Sequence, residues 1–497
     1  MKCIFCFLLL VCTVCASAIP VDTTEGLRKL MDSLYRRGQF NGSILVAVNG
    51  RAIFRNGYGE SNFGTHERFG PATISCLASV SKQFTAMTIM MLAEQHKINY
   101  DDPVAEYIRE WPAYASGVTV RHLLTHTSGI PDLGDLGIDH PGLTNAEVLK
   151  TLVNRNDLIV KPGGRYRYSN TGYILLAIIV ERITGQSFKD YLTNNILIPL
   201  KMDNTFLMDA AVKRPGNLAI GYSAFGKVDN EISLTTGDGG MYSTVDDLLK
   251  WDAALYSGRL VKPETLDTAF TPATVREGRS TYGFGWNITG NRDDLVVWHT
   301  GNTAGFRAFI ERRLRERVAI LMLTNKGNSR RIEINDAVVN ILRGLPYKLP
   351  RIPISGELYK EIETGGIGGA LRTFDSLKES NDSIYDYAES ELNTLGYELL
   401  GENKKPEALE IFRLNTFCYP NSSNAFDGLG DAFAEVHQKD SAINSYQKAI
   451  DLDGNNLQSR DKLANLKKGS TRNVFVMVLA VLAGCLLLGV RVLRGRR

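Results

Sequence analysis

Ser79 and Lys82 stand three residues apart in the stretch Cys76-Leu-Ala-Ser79-Val-Ser-Lys82-Gln-Phe84. From Ser81 to Gln95 the apolar residues Phe84, Met87, Met91 and Leu92 recur at helical spacing, which predicts a helix beginning at Ser79. Residues three apart on a helix share a face, so the Lys82 amine is placed beside the Ser79 hydroxyl. A helix start is electropositive and disfavours a protonated amine there. Lys82 is therefore a candidate base for Ser79, and a serine needs a base in order to attack. The pair alone is a weak signal, because a serine ahead of a helix is commonly its cap.

Two further segments carry chemistry. In Pro162-Gly-Gly-Arg-Tyr-Arg-Tyr168-Ser169-Asn170-Thr-Gly172, Tyr168 and Asn170 are two apart in a loop that leads into a helix. Both can point into one cleft, the phenol as a proton carrier and the carboxamide as a bidentate partner for an amide. In Trp298-His299-Thr300-Gly301-Asn302 a glycine at a strand end lets a substrate lie against the strand edge. His122 and His126 are four apart, a metal-ligand spacing on a helix, but no acidic third ligand stands at a matching offset. We expect no metal and no cofactor.

S-x-x-K, then Y-x-N, then H-T-G, in this order, resemble the motifs of the penicillin-recognising serine hydrolases. That group comprises the class C beta-lactamases with their related DD-peptidases, D-aminopeptidases and esterases. The resemblance covers roughly residues 25–345 and is supported by Leu123–Asp132 and Gly237–Asp246. It implies an α+β fold, an antiparallel sheet flanked by helices and carrying a helical lobe. It also implies that Ser79 attacks an acyl carbon, that Lys82 and Tyr168 take its proton, and that Tyr168 later protonates the leaving group. Backbone N–H groups of Ser79 and Asn302 form the oxyanion hole. Asn170 holds a substrate amide, and His299, Thr300 and Gly301 line the side where many family substrates place a carboxylate. The sequence departs from classical beta-lactamases at His299, where those carry lysine. A mostly neutral imidazole attracts a carboxylate less strongly.

The elements that must position these residues are legible in outline. Leu27, Leu30, Met31 and Leu34 mark an amphipathic helix. Asn49-Gly50 between Ser43–Val48 and Ala52–Phe54 is a strong hairpin signal. Residues 101–200 read as mainly helical, with breaks at Gly129-Ile-Pro131 and Pro162-Gly163-Gly164. Strands return at Leu295–His299, Phe306–Glu311 and Val318–Leu323, before a helix at Ile332–Leu342. Early strands, middle helices and late strands predict one antiparallel sheet with an inserted helical lobe.

Beyond Pro350 the texture becomes helical and repeats. Leu392, Leu395, Gly396, Ala408, Phe412 and Pro420 are echoed 34 residues later by Phe426, Leu429, Gly430, Ala442, Tyr446 and Gly454. This is a tetratricopeptide-like pattern, in which small residues let paired helices approach and large ones fill the gap. Asn415 stands where the pattern has alanine. The functional expectation is protein or peptide binding, with a spacer above the membrane as the alternative.

Both ends of the chain read as membrane-related. Met1-Lys2, an apolar run to Val14 and Ala16-Ser17-Ala18 compose a secretory signal, cleaved after Ala18. Val precedes both Cys12 and Cys15, which disfavours a lipoprotein signal. Val474–Val490 is uncharged and is followed by Arg491, Arg494, Arg496 and Arg497, a stop-transfer pattern with a basic tail. A bacterial surface-sorting tail has the same outline. Four of the seven cysteines lie in the signal, so a disulfide framework is not expected. With net charge +3 and no basic block, nucleic acid is excluded as a partner.

The expected organisation is signal 1–18, hydrolase 19–346, linker 347–370, repeats 371–470, transmembrane helix 474–490 and cytoplasmic tail 491–497. The function expected is an exported, single-pass membrane-anchored serine hydrolase in the secretory pathway or cell envelope. It cleaves a small ester or peptide-like amide through an acyl-Ser79 intermediate. A DD-carboxypeptidase or beta-lactamase is the alternative enzyme. An inactive hydrolase-fold scaffold that binds proteins through its repeats is the alternative of another class.

Overall fold

Asn49 and Gly50 take positive φ values of 52° and 73° and close the expected hairpin. This left-handed pair lets two right-twisted strands meet in register. In the computed structural model, residues 23–467 are described apart from 210–213, 232–233, 276–277, 280, 292, 381–382, 455 and 457. The signal and transmembrane expectations, at 1–18 and 474–490, lie outside the described residues. Among the described residues no helix is long and apolar enough to cross a membrane. The chain divides after Pro350 into two units, each described by itself.

The first unit opens with helix α1 (Thr23–Arg36) and strands β1 (Gly42–Val48) and β2 (Arg51–Tyr58). A 3-10 turn, Ala78–Ser81, runs into helix α2 (Lys82–Glu94). The middle of the unit carries short helices, including α3 (Val120–Leu124), and the longer α4 (Asn170–Thr184) and α5 (Val245–Ser257). Strands β3 (Asn287–Thr289), β4 (Val296–Thr303), β5 (Phe306–Arg313) and β6 (Val318–Thr324) follow, then helix α6 (Arg331–Leu342). These strands form one six-stranded sheet in the order β3-β4-β5-β6-β1-β2. Every pairing in it is antiparallel. The late strands thus close against the opening hairpin, with Gly42 opposite Thr324 and Val48 opposite Val318.

Alternation along the strands assigns the two faces. Ile44 and Val46 of β1, with Ile320 and Met322 of β6, pack against α1 and α6 through Leu27, Leu30, Leu34, Ile334 and Val338. Leu45, Ala47, Leu321 and Leu323 point the other way, into the core with Phe84, Met87 and the apolar face of α4. Successive side chains of a strand face opposite sides, so strands buried on both faces read as continuous apolar runs. Helix α2 is the central post of that second layer. Its residues from Lys82 to Met90 are all buried, polar ones included. The spacing of Phe84, Met87 and Met91 implied one apolar stripe, but the helix is enclosed all round. Two of its polar side chains are met by other segments: Thr85 Oγ1 donates to the Gly237 carbonyl at 2.7 Å, and Gln83 Oε1 accepts from Trp251 Nε1 at 3.1 Å.

The second unit is helical. Helix α7 (Ile354–Glu379) occupies most of the stretch assigned from sequence as a linker. Ile354, Leu358 and Ile362 recur every four residues and are buried, which outweighs the glycines after them. The helix is interrupted at Gly366, where φ is 68°. Helices α8 (Glu389–Gly401), α9 (Lys405–Cys418), α10 (Ser423–Glu435) and α11 (Lys439–Leu452) follow as two pairs. A Cβ on Gly396 would lie 2.5 Å from the Phe412 ring, and one on Gly430 would lie 2.4 Å from the Tyr446 ring. The two pairs use the same small-against-large contact, an arrangement compatible with tetratricopeptide-like repeats.

Candidate active site

Ser79 lies in the 3-10 turn ahead of α2, half-buried, with Ala78 before it in the left-handed region at φ 45°. A non-glycine residue there carries strain that the surrounding packing must offset. Ala78 is 5% exposed and sits in a cluster with Cys76, Tyr242 and Phe306. Lys82 is wholly buried, yet its amine is fully engaged. Its Nζ lies 3.1 Å from Ser79 Oγ, 2.8 Å from Asn170 Oδ1 and 2.8 Å from the Asp238 carbonyl oxygen. Two carbonyl oxygens accept two N–H bonds. The third tetrahedral direction of the nitrogen is left for Ser79, as a donor when the amine is protonated and as a lone pair when it is neutral.

Asn170 is set by the start of α4. Ser169 is its N-cap, accepting from Gly172 N–H at 3.2 Å, and Asp132 Oδ1 accepts from Thr171 N–H at 2.9 Å. A carboxylate at a helix N-terminus complements its partial positive charge. Lys82 takes one lone pair of Asn170 Oδ1, which leaves the carboxamide its NH₂ group and one further acceptor direction. Tyr168, half-buried, places its ring 4.9 Å from Lys82 Nζ.

Strand β4 brings the third segment. A Cβ on Gly301 would fall 2.1 Å from the Leu77 carbonyl oxygen. Only glycine admits the strand this close to the Ser79 turn. Gly301→Ala is expected to push β4 outward, lowering kcat by more than about tenfold and lowering Tm by several degrees. Steady-state kinetics with thermal melting checks this. Asn302 follows at the strand end, its side-chain Oδ1 accepting from Arg331 at 2.7 Å.

His299 is 2% exposed, and both ring nitrogens are used inside the protein. Nδ1 lies 2.6 Å from the Thr300 carbonyl oxygen and so carries the proton, while Nε2 accepts from Tyr282 Oη at 2.9 Å. Burial, with Lys82 nearby, pushes the imidazole down to about 3. His299 is therefore neutral, with neither nitrogen free for a substrate carboxylate. His299 thus lines the cavity as expected, as a ring whose nitrogens are engaged within the protein.

Ser79, Tyr168, Asn170, His299, Thr300 and Asn302 all line one cavity of about 830 Å³. Lys82 reaches it through its bond to Ser79, and Gly301 underlies it. Asp139, Asp229, Glu231 and Asp238 also line it, whereas no lysine or arginine is among its described lining residues. Burial raises the Asp238 carboxyl, and Lys82 opposes that shift. His122 and His126 do not meet as a pair. Helix α3 ends at Leu124, His126 is left-handed at φ 57°, and each ring takes a different backbone N–H through Nδ1, from Thr119 and Ser169 respectively. Among the described residues no group of three metal-ligating side chains occurs.

Sequence reasoning passed over two contributors. The Asp238 carbonyl is a backbone group and leaves no mark of residue type. The glycines at 237 and 240, both at positive φ, were the available signal that this loop packs tightly. Tyr282, 17 residues before His299, joins the site only through tertiary packing.

An antiparallel sheet with a helical lobe, and a serine–lysine pair where they meet, define the transpeptidase-like architecture of the penicillin-recognising hydrolases. Residues 27–343 match the family described as Beta-lactamase, and the chain belongs to that family. It is 31% identical to penicillin-binding protein 4* of Bacillus subtilis over 352 residues, covering 66% of this chain and 78% of that protein. Among solved structures, it resembles the octameric penicillin-binding protein homologue of Pyrococcus abyssi at 28% identity and TM-score 0.59, covering 65% of this chain and 78% of that one. It also resembles a penicillin-binding protein of Bacillus halodurans at 25% identity and TM-score 0.57, covering 64% of this chain and 99% of that one.

Proposed function

We propose that the chain is a serine hydrolase that cleaves a small ester or amide through an acyl-Ser79 intermediate. The observation that carries this reading is the Lys82 amine, held by Asn170 and Asp238 with its remaining direction on Ser79 Oγ at 3.1 Å. In this reading Ser79 Oγ bonds to the acyl carbon and its proton passes to Lys82 and Tyr168. The carbonyl oxygen takes the negative charge against the backbone N–H groups of Ser79 and Asn302, each worth about 3 kcal/mol in such sites. Tyr168 returns the proton to the leaving oxygen or nitrogen as that bond breaks. Water then attacks the acyl carbon by the same route and frees Ser79.

The lining favours neutral or amine-bearing substrates. Four acidic side chains and His140 line the cavity, no lysine or arginine is among its described lining residues, and both His299 nitrogens are engaged inside the protein. Arg331 is turned onto Asn302 and Arg307 onto the carbonyls of Thr303, Ala304 and Phe306. A neutral acyl ester is expected to exceed its carboxylate-bearing isostere in kcat/KM by about tenfold, with the gap shrinking at high salt. Steady-state kinetics on the matched pair tests this. A lasting penicillin adduct on Ser79 would instead support the DD-peptidase reading. Penicillin hydrolysed without an adduct would support a beta-lactamase.

A hydrolase domain over 19–346, protein binding by the helical repeats of the unit that begins after Pro350, export through 1–18 and anchoring through 474–490 are parts of the same proposal. The matching small-against-large contacts at Gly396 and Gly430 support the repeat reading.

A further inference from the structure

We propose that His126 is the positioning residue for Tyr168, holding the phenol at the angle from which it exchanges a proton with Ser79 and the leaving group. This rests on the role given to Tyr168 above. His126 brackets Tyr168 from both sides: its carbonyl accepts from Arg167 N–H at 2.8 Å, and its Nδ1 accepts from Ser169 N–H at 3.1 Å. Its ring also lies against the Tyr168 ring, with centroids 4.2 Å apart and planes 36° apart. The peptide unit that follows Tyr168, the amide of the residue before it and the face of its ring are thus held by one residue.

The histidine is itself tightly constrained. It is 1% exposed, left-handed at φ 57°, and its ring also packs on Tyr282 and Tyr173 at 4.5 and 5.1 Å. The neighbouring chain keeps the two segments side by side, because Thr127 O accepts from Gly163 N–H and Gly129 O from Ile159 N–H, each at 2.8 Å. Since Nδ1 accepts, the neutral ring carries its proton on Nε2. That nitrogen is buried and has no hydrogen-bond partner among the described residues. Burial, with Lys82 and His299 close by, holds the imidazole well below its ordinary range, so it stays a neutral acceptor toward Ser169. The buried, strained histidine is thereby committed to the Tyr168 loop. The helix-based metal spacing with His122 is an accident of sequence.

The test uses three substitutions in the full chain. His126→Leu removes the acceptor at similar bulk. His126→Gln moves it one bond further out. His126→Asn keeps an acceptor where Nδ1 stands and tolerates the left-handed backbone. Leu and Gln are expected to lower kcat by about 10- to 100-fold with KM within about twofold, as a small misplacement of a reacting group does. Asn should recover most of that loss. In a Tyr168→Phe background, His126→Gln should cost less than about threefold, because the group it positions is gone. The inference is overturned if Gln keeps wild-type kcat, or if Gln costs the same factor with and without the Tyr168 hydroxyl. Failure of the Tyr168 role itself would look different, as a Tyr168→Phe enzyme with wild-type kcat.

Discussion

Ser79→Ala is expected to reduce ester turnover to background while leaving the fold intact. Removing a serine nucleophile from an efficient hydrolase costs roughly 10⁶-fold in kcat. Ser79 is half-buried, and among the described residues its hydroxyl has Lys82 as its partner. Losing that oxygen leaves Lys82 with its bonds to Asn170 and Asp238, so the melting temperature should stay within a few degrees of wild type. Any residual rate reflects binding and the oxyanion site alone, which persist without the nucleophile. Kinetics with a chromogenic ester, paired with a thermal melt, checks both halves of the expectation. A Ser79→Ala protein that hydrolyses at the wild-type rate would place the nucleophile elsewhere and overturn the acyl-Ser79 route.

Lys82→Met carries the second large effect, an expected loss of about 10²- to 10⁴-fold in kcat, the usual contribution of a positioned base. Methionine matches lysine as far as Cε and fills most of the same buried slot at the head of α2. It leaves Asn170 Oδ1 and the Asp238 carbonyl oxygen without their donor. Each such orphan costs about 1–3 kcal/mol when buried. Taking a wholly buried amine out of the protein relieves a desolvation cost of comparable size. Stability should therefore change far less than activity, and urea unfolding alongside kinetics separates the two. If Lys82→Met retains wild-type kcat, the base lies elsewhere and the proton route through Lys82 fails.

Much of this site was legible because its chemistry depends on spacing within single elements. Ser79 and Lys82 are one helical turn apart, and Tyr168 and Asn170 precede a helix whose Ser169 cap is readable. The sheet was legible for a similar reason: Asn49-Gly50 closes a hairpin wherever it stands between apolar runs, and Val318–Leu323 is apolar on both faces. What stayed hidden depends on contacts between distant segments. The occupation of Asn170 Oδ1 by Lys82, the capture of both His299 nitrogens and the bracketing of Tyr168 by His126 join residues up to 88 apart. The sequence placed His299 on the substrate side as a residue type. Packing of Tyr282 then decided that its nitrogens face inward. In the second unit, residues 347–370 read from sequence as a linker, but the four-residue spacing of Ile354, Leu358 and Ile362 buries that segment as helix.

The central claim is a covalent acyl-Ser79 intermediate. The most direct measurement is the intact mass of the full chain, acid-quenched during turnover of an activated acetate ester and then mapped by peptide. The account predicts the mass of one acetyl group on the peptide holding Ser79, decaying once substrate is exhausted and absent from Ser79→Ala. Turnover without any adduct on that peptide in a quench fast enough to catch a burst, or an adduct that survives in Ser79→Ala, would contradict it.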